Sequence, residues 1–138
     1  MVVTQLGGGG SAEYQVANST RDSTVGVEYL VPFSGREGFG IDEQCENIID
    51  KDCTFKSYTF EVNNYSGKVS PYKCIPVVNG VDQTAVELTI PLNTPGKYTM
   101  ELDLALSADD VVTMKFDNQG DVTGTFEVRT TCGRCTIP

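Results

Sequence analysis

The sequence predicts an all-β fold: an antiparallel β-sandwich, immunoglobulin-like or jelly-roll, with one short helix near residues 41–50. Three observations carry this expectation. Tyr98, Met100, Leu102, Leu104 and Leu106 stand on strictly alternate positions, the pattern of a strand with one buried face. Val112, Met114 and Phe116, then Phe126 and Val128, follow across turn-rich stretches at 107–110 and 117–121, and read as two antiparallel neighbours of that strand in a core sheet. The chain is also rich in Val, Thr and turn formers, with 14 Gly and 6 Pro; turn signals recur every ~8–12 residues, giving about seven to nine strands.

A chain of 138 residues is one domain by length and long enough to bury a core without obligatory disulfides. Its net charge of −9 opposes binding to a nucleic-acid backbone or an anionic membrane surface, both of which need Lys and Arg. No run approaches the ~20 apolar residues of a membrane span. Met1–Leu6 has neither a basic start nor a long apolar stretch, so no secretory signal is expected. Residues 1–11 read as a flexible arm and glycine-rich hinge, and 12–138 as a single sandwich domain. Gly7–Ser11 suits an engineered joint and a natural hinge equally well.

In chain order, Glu13–Asn18 reads as a short strand, 18–23 as turn-like, and Thr24–Val31 as a strand with Val25, Val27, Tyr29 and Val31 on one face. Pro32 ends it, and a glycine-punctuated loop to Gly40 carries Phe33, Arg36 and Phe39 as binding-loop candidates. Anchoring of that loop in the core is the competing role for the two phenylalanines. Ile41, Cys45, Ile48 and Ile49 fall at helical spacing, with Asp42 and Glu43 in what would be the first turn. Thr54–Asn63 reads as a strand and 64–67 as a turn. Pro71 and Pro76 imply an edge or broken strand over Val69–Val78. Asn79-Gly80 signals a tight hairpin, and Val86, Leu88 and Ile90 share one strand face before the turn at 93–96.

The segment Gly96-Lys97-Tyr98-Thr99-Met100 resembles the G-x-Y-x-C stretch that opens strand F of immunoglobulin-like domains. The resemblance implies a corner at Pro95-Gly96, with the Tyr98 hydroxyl tied back to it. Met100 stands where the family has its inter-sheet cysteine, and the chain has no tryptophan for strand C. The likeness covers five residues and implies no function.

Cys45, Cys53, Cys74, Cys132 and Cys135 are the disulfide candidates, with Cys45–Cys53, and Cys74 with one of the terminal pair, as the pairings considered. An odd count leaves a free thiol or a link to another chain. A zinc site from Cys45, Cys53, Cys132 and Cys135, and a thioredoxin-like Cys132-Gly-Arg-Cys135, are the rival readings. Asp109, Asp110, Asp117 and Asp121 are weak calcium candidates; Asp is also what turns prefer. The chain has no histidine, so histidine-based mechanisms are excluded, and no P-loop or nucleophile elbow is present. Asn18-Ser-Thr and Asn64-Tyr-Ser match the glycosylation sequon.

These features lead to the expectation of a non-enzymatic assembly subunit without a cofactor, its partners being copies of itself or other particle subunits. It would sit outside the cell or on a virion surface, without nucleic acid or membrane insertion. The alternative is a secreted, disulfide-stapled module binding a glycan or protein.

Overall fold

The computed structural model describes residues 27–30, 32–33 and 45–137, together with the backbone of 2–6 and 12–24. It is nearly all antiparallel β, in two packed sheets. The strands are β1 (Val2–Leu6), β2 (Ala12–Thr24), β3 (Glu28–Leu30), β4 (Asn47–Ile48), β5 (Cys53–Ser66) and β6 (Tyr72–Val78), then β7 (Val81–Asp82), β8 (Leu88–Ile90), β9 (Gly96–Leu106), β10 (Val111–Asp117) and β11 (Thr125–Ile137). One sheet runs β1-β2-β11-β5-β9. The other runs β3-β10-β6, with β4 continuing β3 along β10, and β8 and β7 sharing the far side of β6.

The pairing partners reveal the winding. β2 pairs β11, β3 pairs β10, β5 pairs β9 and β6 pairs β8. The chain is therefore one long antiparallel hairpin, with β6 and β8 near its tip, rolled across two sheets. That is jelly-roll topology, so the pairing selects the second of the two sandwich types expected. β9 has the expected inner face, with Met100, Leu102 and Leu106 buried. It is nevertheless an edge strand, and β10 lies in the opposite sheet instead of beside it. Alternation specifies which side of a strand is buried but not which strand is its neighbour.

Aromatic rings fill the space between the sheets. Phe60 of β5 meets Phe116 of β10 edge-on at 5.3 Å, and Phe126 of β11 stacks on Tyr72 of β6 at 3.9 Å. β5 keeps its rings inward through two irregularities. The register against β11 shifts at Lys56 and again at Asn63, so Phe55, then Tyr58, Phe60 and Val62, then Tyr65 all face the core despite changing parity. The strand thus runs through the turn expected at 64–67.

Other expectations are corrected. Among the described residues of the expected helix, 45–50, no helix forms: Asn47–Ile48 is paired to β10 and Ile49 is bonded to the 107–110 turn. Residues 41–44 lie outside the described residues. The stretch 18–23 belongs to β2 and pairs with β11. Leu30 of β3 is buried and Val27, just before the strand, is 45% exposed, the reverse of the expected face. β6 is an interior strand despite Pro76. The Pro76 carbonyl accepts from Gln83 N, so its missing N–H faces the gap between β8 and β7, where no ladder bond is needed. Val86 lies in a 3-10 turn, Thr84–Val86, and only Leu88–Ile90 is strand. The Asn79-Gly80 hairpin forms as expected, with both residues at positive φ (51° and 78°). The Tyr98 hydroxyl donates to the Thr94 carbonyl, the corner that the resemblance implied.

Candidate functional site

The five cysteines do not converge. No disulfide joins the described residues, and no three Cys, Asp or Glu side chains there cluster as a metal site requires. β11 places Cys135 against the core, where Thr131 and Gly133 also point inward, so Cys132 lies on the opposite face. An extended C-x-x-C with its sulfurs on opposite faces does not form a clamp, which removes the geometry that both the zinc and the thioredoxin-like readings need. The intervening Gly133 has another role: a Cβ there would stand 2.3 Å from the Pro32 carbonyl oxygen and 3.0 Å from the Phe33 ring. Cys74 is fully buried in β6, which pushes its thiol well above the usual range. Cys45 is buried as well.

Cys53 and Cys135 do meet. They lie on the core side of adjacent strands at one end of the sandwich, and the Cys135 thiol donates to the Cys53 sulfur. Burial raises the Cys53 thiol; the Cys135 hydrogen bond opposes this, and the Asp52 and Asp110 carboxylates raise it further. Burial pushes Cys135 up to about 11. Neither carries appreciable thiolate at neutral pH.

The aspartates divide between the two ends of β10. Asp109 and Asp110 precede it, and Asp117 and Asp121 end or follow it, about 20 Å away at the rise of an extended strand. Their oxygens serve the turns. Asp110 accepts from Ser107 N and Asn79 Nδ2 at 2.8 and 2.9 Å, which holds its carboxyl below the usual range. Asp117 accepts from Gln119 N at 2.8 Å. Asp121 accepts from Val69 N (2.7 Å), Ser70 N (2.9 Å) and Thr123 N (2.9 Å), and from the Thr123 hydroxyl. That last bond and the backbone donors hold its carboxyl far below the usual range.

Around Asp121 lies a polar network that sequence reasoning missed. Lys68 is only 3% exposed. Its Nζ donates to the Asp121 carbonyl at 3.1 Å and sits 5.0 Å over the Tyr72 ring. Burial lowers its pKa, and the Asp121 carboxylate partly offsets that. Asn93 bonds both the N–H and the carbonyl of Lys68 at 3.0 Å, and Asn118 Nδ2 donates to the Asp121 carbonyl at 3.0 Å. Three loops are thus locked together, with Val69 and Val122 exposed at their tips. A lysine between Gly67 and Val69 carries no sequence signal for this; only the fold brings 68, 93 and 121 together.

Of the binding-loop candidates, Phe33 is buried against Phe55 with ring centroids 4.7 Å apart, the anchoring role. Arg36 and Phe39 lie outside the described residues. Asn64 is exposed on β5 and accepts from the Thr125 hydroxyl, and Asn18 lies in β2 opposite Thr131.

The remaining candidate surface is the pair of edges of the β1-to-β9 sheet. β1 is the outer strand on one side, and among the described residues no strand pairs with the outer side of β9. β9 carries Asp103 at φ 49°, ion-paired to Lys56. A left-handed residue and a charge pair roughen that half of the edge, as proteins commonly do against unwanted pairing. No described helix is long and apolar enough to cross a membrane. Compared with protein-family models, with curated proteins and with solved structures, the chain matches none.

Proposed function

We propose that the chain is a non-enzymatic structural subunit of a multi-copy particle, a virion or surface filament, whose copies join by exchanging the N-terminal strand and by contact along sheet edges. The observation that carries this reading is the place of β1. It is the outermost strand of its sheet, in register with β2 from Val2↔Ala17 to Leu6↔Glu13. An identical strand from a neighbouring copy satisfies the same register on β2, and the Gly7–Ser11 sequence has the composition of a connector that permits the crossing. Jelly rolls build capsid shells, and also lectin domains and cupins, so fold-level analogy supports a virion without selecting it. The charge of −9 makes copies repel at long range, so assembly should strengthen as salt screens them.

The test is sedimentation and electron microscopy of the full chain over a range of concentration and salt, beside Val3→Pro and a chain lacking residues 1–11. The full chain is expected to form multimers, and both variants folded monomers, checked by circular dichroism. Assembly that is unchanged in both variants, or a full chain that is monomeric throughout, overturns the reading. The second outcome favours the secreted binding module, which the contact between Cys53 and Cys135 would suit.

A further inference from the structure

Cys53 is the first residue of β5, and Cys135 lies two residues before the end of β11. The strands are antiparallel, with Cys135 opposite Phe55 and Thr136 opposite Thr54, so the two cysteines are diagonal neighbours on the core-facing side. The Cys135 thiol is also a hydrogen-bond partner of the Cys53 sulfur, so the two side chains reach toward each other across the strand pair. Cys74 belongs to the opposite sheet, and Cys132 points to the other side of β11. We propose that Cys53 and Cys135 are a disulfide-forming pair that clamps the start of β5 to the end of β11 when the protein meets a disulfide oxidant. This replaces the pairings expected from spacing and is independent of the assembly reading.

The reaction is two successive exchanges. One cysteine loses its proton, attacks a sulfur of the oxidant and releases one oxidant thiol, leaving a mixed disulfide. The second cysteine, also deprotonated, attacks the protein sulfur of that bond and releases the other oxidant thiol. Two protein S–H bonds are lost, one S–S bond forms, and the oxidant's disulfide is reduced to two thiols. Burial disfavours both thiolates, and the Asp52 and Asp110 carboxylates further disfavour that of Cys53, so exchange is slow at neutral pH and faster in base. The same property makes each sulfur a poor leaving group, so the bond resists reduction once formed. The pair is a staple and not a redox catalyst. It closes a loop of about 80 residues, which the chain-entropy account translates into a melting temperature raised by roughly 10 °C.

The test is to incubate the reduced full chain with oxidised glutathione at mildly alkaline pH, then alkylate, digest with trypsin without reduction and map the peptides. Cleavage after Lys51, Lys56 and Arg134 separates Cys53 from Cys45, and Cys135 from Cys132, so the linkage is read directly. The expected result is a 52–56 peptide joined to 135–138, an intact mass lower by two hydrogen atoms, and a raised melting temperature that falls again under strong reductant. Cys53→Ser and Cys135→Ser should each abolish the rise, and Cys132→Ser should leave it. Alkylated Cys53 and Cys135 after prolonged oxidation, or either one joined to a different cysteine of the same or another chain, overturns the proposal. The wild-type peptide map decides even if a serine variant folds poorly.

Discussion

Replacing Phe126 with alanine tests the packing on which the sandwich rests. The ring is completely buried, stacks on Tyr72 at 3.9 Å and 8°, and meets Tyr65 edge-on at 5.0 Å and 86°. Tyr65 shares its sheet, while Tyr72 belongs to the other, so the ring joins the layers. Removing a buried phenylalanine costs about 3–5 kcal/mol through lost transfer energy and the cavity left behind. Each favourable ring pair adds about 0.5–1.5 kcal/mol beyond area, which puts this site near the top of that range. Against a total stability of about 5–15 kcal/mol, the variant should remain folded but marginal, melting roughly 10–20 °C lower. Urea unfolding should show a lower midpoint at unchanged slope. A double-mutant cycle with Tyr72→Leu should return a coupling of about 0.5–1.5 kcal/mol. A loss below about 1.5 kcal/mol, or no coupling, would refute the argument that these stacked rings hold the two sheets together.

Two further outcomes concern the loops and the terminal strand. Asp121 has a depressed pKa when folded, so its contribution is complete above the unfolded value near 4 and is lost as pH falls through the folded value. Asp121→Asn should therefore destabilise at neutral pH and flatten the acid limb of the stability profile; an unchanged acid limb would count against the network. Gly133→Ala should cost about 1–3 kcal/mol by overpacking, because its methyl group meets the Pro32 carbonyl and the Phe33 ring. An alanine variant that melts with the wild type would show that this close approach is not a constraint.

What the sequence made legible was what depends on neighbours a few residues apart. The inner faces of β9, β10 and β11 follow from period-two alternation, and the Asn79-Gly80 turn and the Tyr98 corner follow from local chemistry. Partners did not follow. β9 reads as the centre of a sheet because its pattern is the cleanest, yet an edge strand with one buried face shows the same pattern. Ile41, Cys45, Ile48 and Ile49 mimic a helix because a short run of apolar residues carries too few positions to separate the two periods. Of these, Ile48 proves 73% exposed and Ile49 buried, as strand alternation requires. At the candidate site, sequence supplied the five cysteines as candidates, but the spacing of Cys45 and Cys53 drew attention to that pair and not to the contact that the fold makes between Cys53 and Cys135. The contact between Cys53 and Cys135 depends on register across 82 residues of sequence, from 53 to 135, and no local rule reaches that far.

The pairing of β2 with β11 also bears on how the protein is made. Ala12 lies opposite Ile137 and Thr24 opposite Phe126, so the side of β2 that does not face β1 stays open until β11 has been made. At the tip of the hairpin, β6 finds β7 and β8 close by in sequence, so this part can form first, with β10 and then the outer strands closing onto it. Topologies dominated by such distant pairings fold in about milliseconds to seconds, and their unpaired edges stay open to other chains meanwhile. Synthesis at high local concentration therefore exposes β2 to another molecule's β11 as well as to its own. Whether a nascent chain folds alone or tangles with another depends on how soon its own β11 arrives.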